Sequence, residues 1–181
     1  MSRRRFVILL CYALARVPIL EASPRLVVVI SIDQFRYDYL ARFGRYFGDG
    51  GFRYMLEHGA NFTNATYKHA MNTTGPGHAV ILSGSYADQN GIIANTWYDA
   101  AIGRDVYCVR DVDQRTVGGT GEGVSPANFF GSTFGDELRI QSNFRSRVVS
   151  VSMKDSAAIL LGGKLAQRVF WMGDSSFVTS T

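Results

Sequence analysis

Residues 147–172 read RVVSVSMKDSAAILLGGKLAQRVFWM. The opening RVVSVSMK is a short run rich in β-branched residues, the composition of a strand buried in a sheet. DSAAILLGGKLA follows with the composition of an apolar helix. RVFWM then returns to strand character, and SFVTST at 176–181 does so again. Strand, helix and strand in immediate succession are the signature of an α/β fold.

The alternation continues toward the amino terminus. RLVVVISID (25–33) is a continuous β-branched run between Pro24 and Asp33, and it is expected to be a strand covered on both faces. FRYDYLARF (35–43) carries apolar residues at helical spacing, and GDGG (48–51) is a turn. GFRYMLEHG (51–59) reads as a short helix closed by Gly59, ANFTNATYKHA (60–70) as strand-like, and residues 74–84 as a helix. A hairpin-like excursion is expected at about 96–113, where Ile102 and Gly103 separate two short runs. TVGGTGEGVSP (116–126) reads as a flexible loop. A helix is expected over 126–143, with Ser125 as its N-cap and Pro126 at its first position. The expected architecture is therefore α/β, a mostly parallel central sheet flanked by helices, over residues 23–181. A last strand with an unpaired edge is what the first part of a longer domain would show.

The chain has 181 residues, 46% of them hydrophobic and 19% charged, enough apolar surface for a packed core. Its net charge of +4 is concentrated at the start, where Arg3, Arg4, Arg5 and Arg16 face only Glu21 among the first 22 residues. No basic stripe remains to suggest a nucleic-acid partner. MSRRR followed by FVILLCYALA has the layout of a secretory signal over residues 1–22, and the apolar run is too short to span a membrane. Periplasmic or secreted location is the expectation. Cleavage would leave Cys108 as the one cysteine, which excludes both an internal disulfide and a CxxC zinc site.

Two places carry candidate chemistry. Asp33 follows the first apolar run, where ligand sites collect at the carboxyl edge of α/β sheets. An N-cap for the next helix would need the same residue type. Thr73 and Thr74 run into Gly75-Pro76-Gly77-His78, so Thr74 is placed to cap a helix with Pro76 in its first turn. A helix start offers free N–H groups and partial positive charge to an anion, and a hydroxyl there is placed to attack a phosphoryl group if it is activated. Plain capping explains the threonine as well, and Thr73 is an equal candidate on composition. GGTGEGV and LLGGKLA lack the form and setting of nucleotide-binding loops. His58, His69 and His78 have no i, i+4 pairing, so no local zinc motif exists.

IDQFRYDYLARF (32–43), HAMNTTGPGHAVILSGSYADQNGIIANTWYD (69–99) and SMKDSAAIL (152–160) together resemble the alkaline phosphatase superfamily, specifically its bacterial secreted branch with a threonine nucleophile. The resemblance runs from about Leu26 to the end of the chain and rests on Thr-x-Pro-x-His followed by Gly-Ile-Ile-x-Asn. It implies a two-zinc site at the carboxyl edge of a large sheet, with Asp33 as a ligand of one zinc and Thr74 as both ligand and nucleophile. It further implies that Asn95 donates to a non-bridging phosphoryl oxygen and that Lys154 adds positive charge there. The substrate class implied is a small-molecule phosphate ester.

Two departures accompany the resemblance. The monoesterase branch has Lys-Asp-Arg where this chain has Lys154-Asp155-Ser156, so a bidentate phosphate donor is missing. The family's remaining metal ligands, an Asp-x-x-x-His, an Asp-His pair and a late His, do not occur in these residues. Three functions follow as alternatives. The first is metal-dependent hydrolysis of phosphate monoesters through a phosphothreonine; the second is a phosphodiesterase or nucleotide pyrophosphatase on the same scaffold. The third is a non-catalytic α/β module that keeps only the anion pocket.

Overall fold

The computed structural model describes residues 24–180. The leader expected over 1–22 lies outside the described residues. The chain divides into two units, with the boundary between Phe47 and Gly48.

Within 24–47, helix α1 spans Asp38–Arg42 and a 3-10 turn spans Gly44–Tyr46. Asp38 in the first turn and Arg42 in the last suit the helix dipole. The strand expected over 25–33 does not form: Leu26, Val28 and Ile30 are 78%, 67% and 69% exposed. β-branched composition states compatibility with a sheet, but a strand exists only where a neighbour pairs with it. The described part of this unit holds no second strand.

From Gly48 onward the sequence is read more faithfully. Helix α2 is Phe52–His58, closed as expected where the Gly59 N–H reaches the Met55 carbonyl. Residues 60–70 make turns and bends, not the strand expected. Helix α3 spans Thr74–Ser83, and a single turn, α4, spans Ala87–Asn90. Strands β1 (Thr96–Asp99) and β2 (Arg104–Tyr107) form the expected hairpin, antiparallel with Thr96 opposite Tyr107 and Asp99 opposite Arg104.

The larger sheet contains β3 (Arg110–Val117), β4 (Glu122–Val124), β5 (Val149–Ser152), β6 (Arg168–Met172) and β7 (Phe177–Ser180). Their order is β4-β3-β7-β6-β5. The α/β class holds, because β5 leads through helix α6 (Asp155–Gly162) into a parallel β6. The sheet itself is mixed, not mostly parallel as expected. Among the described residues β5–β6 is its one parallel pair, and β6–β7, β3–β7 and β3–β4 are antiparallel. Tight connections cause this: β6 to β7 and β3 to β4 are joined by four residues each, too few for a parallel crossover. β4 also replaces part of the loop expected at 116–126. β5, expected to be buried, lies at the edge of the order, and Val149 and Val151 are both 58% exposed.

The helix expected over 126–143 is shorter. Helix α5 spans Phe134–Gln141 behind an N-cap at Thr133. Residues 126–132 cannot coil because their side chains are committed elsewhere. Phe129 is fully buried, the Asn128 amide reaches the carbonyls of Tyr107, Cys108 and Arg110, and the Ser125 hydroxyl bonds the Asp111 carboxylate.

A capping box starts α5. The Thr133 hydroxyl accepts from the Asp136 N–H at 3.2 Å, and Asp136 accepts from the Thr133 N–H at 2.9 Å. Asp136 does more than cap. Its carboxylate also accepts the N–H groups of Lys164 at 3.2 Å and Leu165 at 2.6 Å, which ties α5 to the turn after α6. Gly163 sits between them at φ +79°, where a Cβ would collide with Thr133 Oγ1 and Asp136. Among the described residues no helix is long and apolar enough to cross a membrane.

Asp136 is 2% exposed, and removing its carboxylate takes the acceptor from three N–H groups, the buried one of Thr133 and the partly buried ones of Lys164 and Leu165. Asp136→Ala is expected to lower the unfolding free energy by about 3 kcal/mol, read from the midpoint of chemical denaturation at unchanged slope. A loss below about 1 kcal/mol would contradict this account of how α5 is anchored.

Candidate active site

Helix α3 starts one residue earlier in its cap than the sequence suggests. Thr73 is the N-cap, with φ −75° and ψ 167°, and its carbonyl accepts the Gly77 N–H at 2.9 Å. Thr74, expected at the cap, is instead the first helical residue. Pro76 falls in the first turn, where its missing N–H leaves no bond unmade. His78, one turn on, is 6% exposed, and its Nδ1–H donates to the Thr74 carbonyl at 2.8 Å. It anchors the backbone of the turn that carries the hydroxyl.

Lys154 reaches this turn from the other side of the fold. It follows β5 and forms the N-cap of α6, and α6 packs against α3. Its Nζ donates to Thr74 Oγ1 at 3.2 Å. Asn95 comes from the segment entering β1, and its Oδ1 accepts the Gly75 N–H at 2.6 Å. Three of the residues expected in the site, Thr74, Asn95 and Lys154, are therefore brought together around the start of α3. The arrangement combines a hydroxyl, an ammonium, an amide and a helix N-terminus, which is the donor set that receives an anion.

Asp33 belongs to the 24–47 unit and is described there. It stands in a turn closed by the Phe35 N–H on the Ile32 carbonyl at 3.3 Å, with Gln34 at φ 59°. It is not the N-cap of α1, which begins five residues later. Among the described residues no group of three or more His, Cys, Asp and Glu side chains is arranged to hold a metal ion. The described residues do not by themselves fit the two-zinc site that the resemblance implies.

Sequence reasoning missed the residues behind Lys154. The Tyr107 hydroxyl donates to Asp155 Oδ1 at 2.6 Å, and the same oxygen accepts the Ser156 N–H at 2.6 Å. Burial first, and then this bond to a carboxylate, push the Tyr107 phenol above its ordinary range, so it stays a donor. Cys108 is 1% exposed; burial and then the charge of Asp155 push its thiol up to about 12. It is protonated at physiological pH and is no nucleophile. Tyr107 lies 48 residues from Asp155 and carries no local signal, whereas Asp155 could have been noted as the acid following Lys154. Ser156 is 3% exposed, and a short buried hydroxyl does not replace a bidentate guanidinium. Beyond Lys154 and Asp155 a cavity of about 680 Å³ opens past the carboxyl ends of β5 and β6, bordered by Tyr107, Met153 and Trp171. Ligands of open α/β sheets collect at that edge.

The chain is similar to several known proteins. Over 164 residues the chain is 46% identical to alkaline phosphatase PhoV of Synechococcus elongatus, covering 88% of this chain and 30% of that protein. It is 40% identical to alkaline phosphatase PafA of Elizabethkingia meningoseptica, covering 87% and 30%, and 37% identical to alkaline phosphatase PhoK of a Sphingomonas species, covering 86% and 28%. The crystal structure of wild-type PafA superposes with a TM-score of 0.80 at 40% identity, over 82% of this chain and 29% of that one. The chain thus spans about 30% of the length of the curated relatives it matches. The family model for type I phosphodiesterase / nucleotide pyrophosphatase matches residues 27–181, and the chain belongs to that family.

Proposed function

We propose that the whole protein hydrolyses small phosphate monoesters through a phosphothreonine intermediate at Thr74. The observation that carries this reading is the 3.2 Å contact of Lys154 Nζ with Thr74 Oγ1 at the first residue of α3. A protonated hydroxyl is a poor nucleophile, and an adjacent ammonium favours its oxyanion. The first turn of α3 adds N–H groups and partial positive charge. Thr74 Oγ1 attacks phosphorus, and the bond from phosphorus to the ester oxygen breaks as the new one forms. The departing alkoxide takes up a proton in exchange for the one the Thr74 hydroxyl gives up, so the alcohol leaves neutral. Water then cleaves the phosphothreonine, releasing inorganic phosphate and restoring the hydroxyl. Asn95 donates to a non-bridging oxygen and Lys154 offsets charge there, which is the positioning and electrostatic work that phosphoryl transfer asks of a protein.

The names of the relatives, alkaline phosphatases, support a monoester substrate. Zinc dependence and Asp33 as a metal ligand belong to the same proposal, supported by the motif around Asp33. So does export, supported by the charged and apolar leader at 1–22. A second reading, diester or pyrophosphate hydrolysis, is favoured by one observation: Ser156 stands buried where the monoesterase branch has an arginine. A diester carries one less charge, so it suffers less from that loss. The kcat/KM ratio for aryl monoester against aryl diester substrates separates the two, and a ratio below one sinks the monoester reading.

In the whole protein Thr74→Ala is expected to abolish turnover of an aryl phosphate, and full turnover in that variant would overturn the assignment. Lys154→Ala is expected to lower kcat/KM on the order of 10²–10³-fold, as removal of one oxyanion donor does. Dialysis against a chelator is expected to abolish activity, and zinc to restore it. Activity that survives chelation at full rate removes metal dependence from the proposal. A protein that binds phosphate but turns nothing over, with or without zinc, would be the anion-binding module instead.

A further inference from the structure

Helix α3 begins without a side-chain cap of its own. Thr73 at the N-cap receives no bond through its side chain from the first turn, although a threonine there ordinarily accepts one. The Gly75 N–H of that turn is received instead by Asn95 Oδ1, at 2.6 Å and from twenty residues along the chain. A backbone N–H only donates, so the atom facing it is the amide oxygen, and chemistry settles the orientation of the Asn95 side chain. Nδ2 is then the end of the amide turned away from the Gly75 N–H, and it can only donate. The backbone of Asn95 is held as well, because its carbonyl accepts the Cys108 N–H at 2.8 Å.

Position 75 is tight for a side chain. A Cβ there would stand 3.0 Å from Cys108 Sγ, 3.1 Å from Asn95 Oδ1 and 3.2 Å from the Ala94 carbonyl oxygen. The Ala94 oxygen is backbone, and Cys108 is 1% exposed and packed in the core. The Asn95 amide is the neighbour free to yield, and yielding lengthens the bond that orients it.

We propose that Gly75 and Asn95 form one positioning unit. Asn95 caps α3 from outside the helix, and the Gly75 N–H in return turns the amide so that Nδ2 is presented to the phosphoryl group. Gly75 acts in this unit as a positioning residue, through its N–H on Asn95. The unit rests on the phosphoryl contact proposed above for Asn95. It joins the nucleophile's helix and a phosphate donor through a single hydrogen bond, so neither can shift without the other.

The test uses the whole protein, an aryl phosphate substrate, inhibition by inorganic phosphate, and thermal melting. Asn95→Ala is expected to lower kcat/KM on the order of 10²–10³-fold. Gly75→Ala is expected to lower it by about ten-fold or more, as small misplacements of a positioned group do. The double variant should be no worse than Asn95→Ala alone, and inhibition by phosphate should weaken in all three. Asn95→Asp separates cap from donor. Its carboxylate still accepts the Gly75 N–H and suits a helix N-terminus, so it should melt with the parent while losing activity. Asn95→Ala should melt several degrees lower. Parent activity in Asn95→Ala overturns the phosphoryl role on which the unit rests. Loss of activity in Asn95→Ala beside an unaffected Gly75→Ala, or equal melting of the Ala and Asp variants, overturns the unit alone. The melting pair decides the matter even if Gly75→Ala fails to fold.

Discussion

Ala157, Ala158, Ile159 and Leu160 of α6 are each at most 4% exposed, and this burial is what the site depends on. The helix packs against β5 and β6 on one side and against α3 on another, so most of its faces are apolar. Burying Ile159 and Leu160 contributes on the order of 1.5–3 kcal/mol each. The two alanines matter through their size, since they leave space for a neighbouring helix to approach. With α6 held this way, Lys154 stands after β5 at the N-cap of α6, and its Nζ reaches Thr74 in the first turn of α3. The Lys154–Thr74 contact is a consequence of core packing, not of any local motif.

The electrostatics around that contact are arranged in layers. Facing outward are the Thr74 hydroxyl, the Lys154 ammonium and the first turn of α3, all of which favour an anion. Directly behind Lys154 sits Asp155, a carboxylate that would repel one. It is held by the Tyr107 hydroxyl and the Ser156 N–H, both on Oδ1. Hydrogen bonds of this kind delocalise the charge and fix its direction, and a raised Tyr107 pKa keeps the donor protonated at any physiological pH. The acid thus orders the start of α6 beside the cation that reaches Thr74.

Asp136 plays the corresponding part for the fold. A capping box by itself is local, legible from Thr133 and Asp136 three residues apart. The two further N–H groups it accepts, from Lys164 and Leu165, come from the far end of α6. Through them the end of α6 is tied to α5, as its middle is tied to the sheet. Both ends of this helix are therefore set by side chains outside it, and its register against α3 follows.

The sequence alone determined the elements whose causes are local. β5, α6 and β6, the hairpin at 96–113 and helix α3 are each written in a short run of propensity and turn residues, and each is found within a few positions. It also offered Thr74, Asn95 and Lys154 as candidates, through the family resemblance carried by Thr-x-Pro-x-His, Gly-Ile-Ile-x-Asn and SMKDSAAIL. Tertiary structure alone decided everything that needs a partner. The apolar run at 25–33 has strand composition and forms no strand, since pairing is supplied by neighbours and not by side chains. Residues 126–132 carry helix signals and stay irregular, because Phe129 and Asn128 gain more from the core and from the carbonyls of Tyr107, Cys108 and Arg110 than from a helical turn. Tyr107 meets Asp155, and Gly75 meets Asn95, across 48 and 20 residues. Contacts of that range are fixed when helices and sheet close on one another, and no window of sequence contains them.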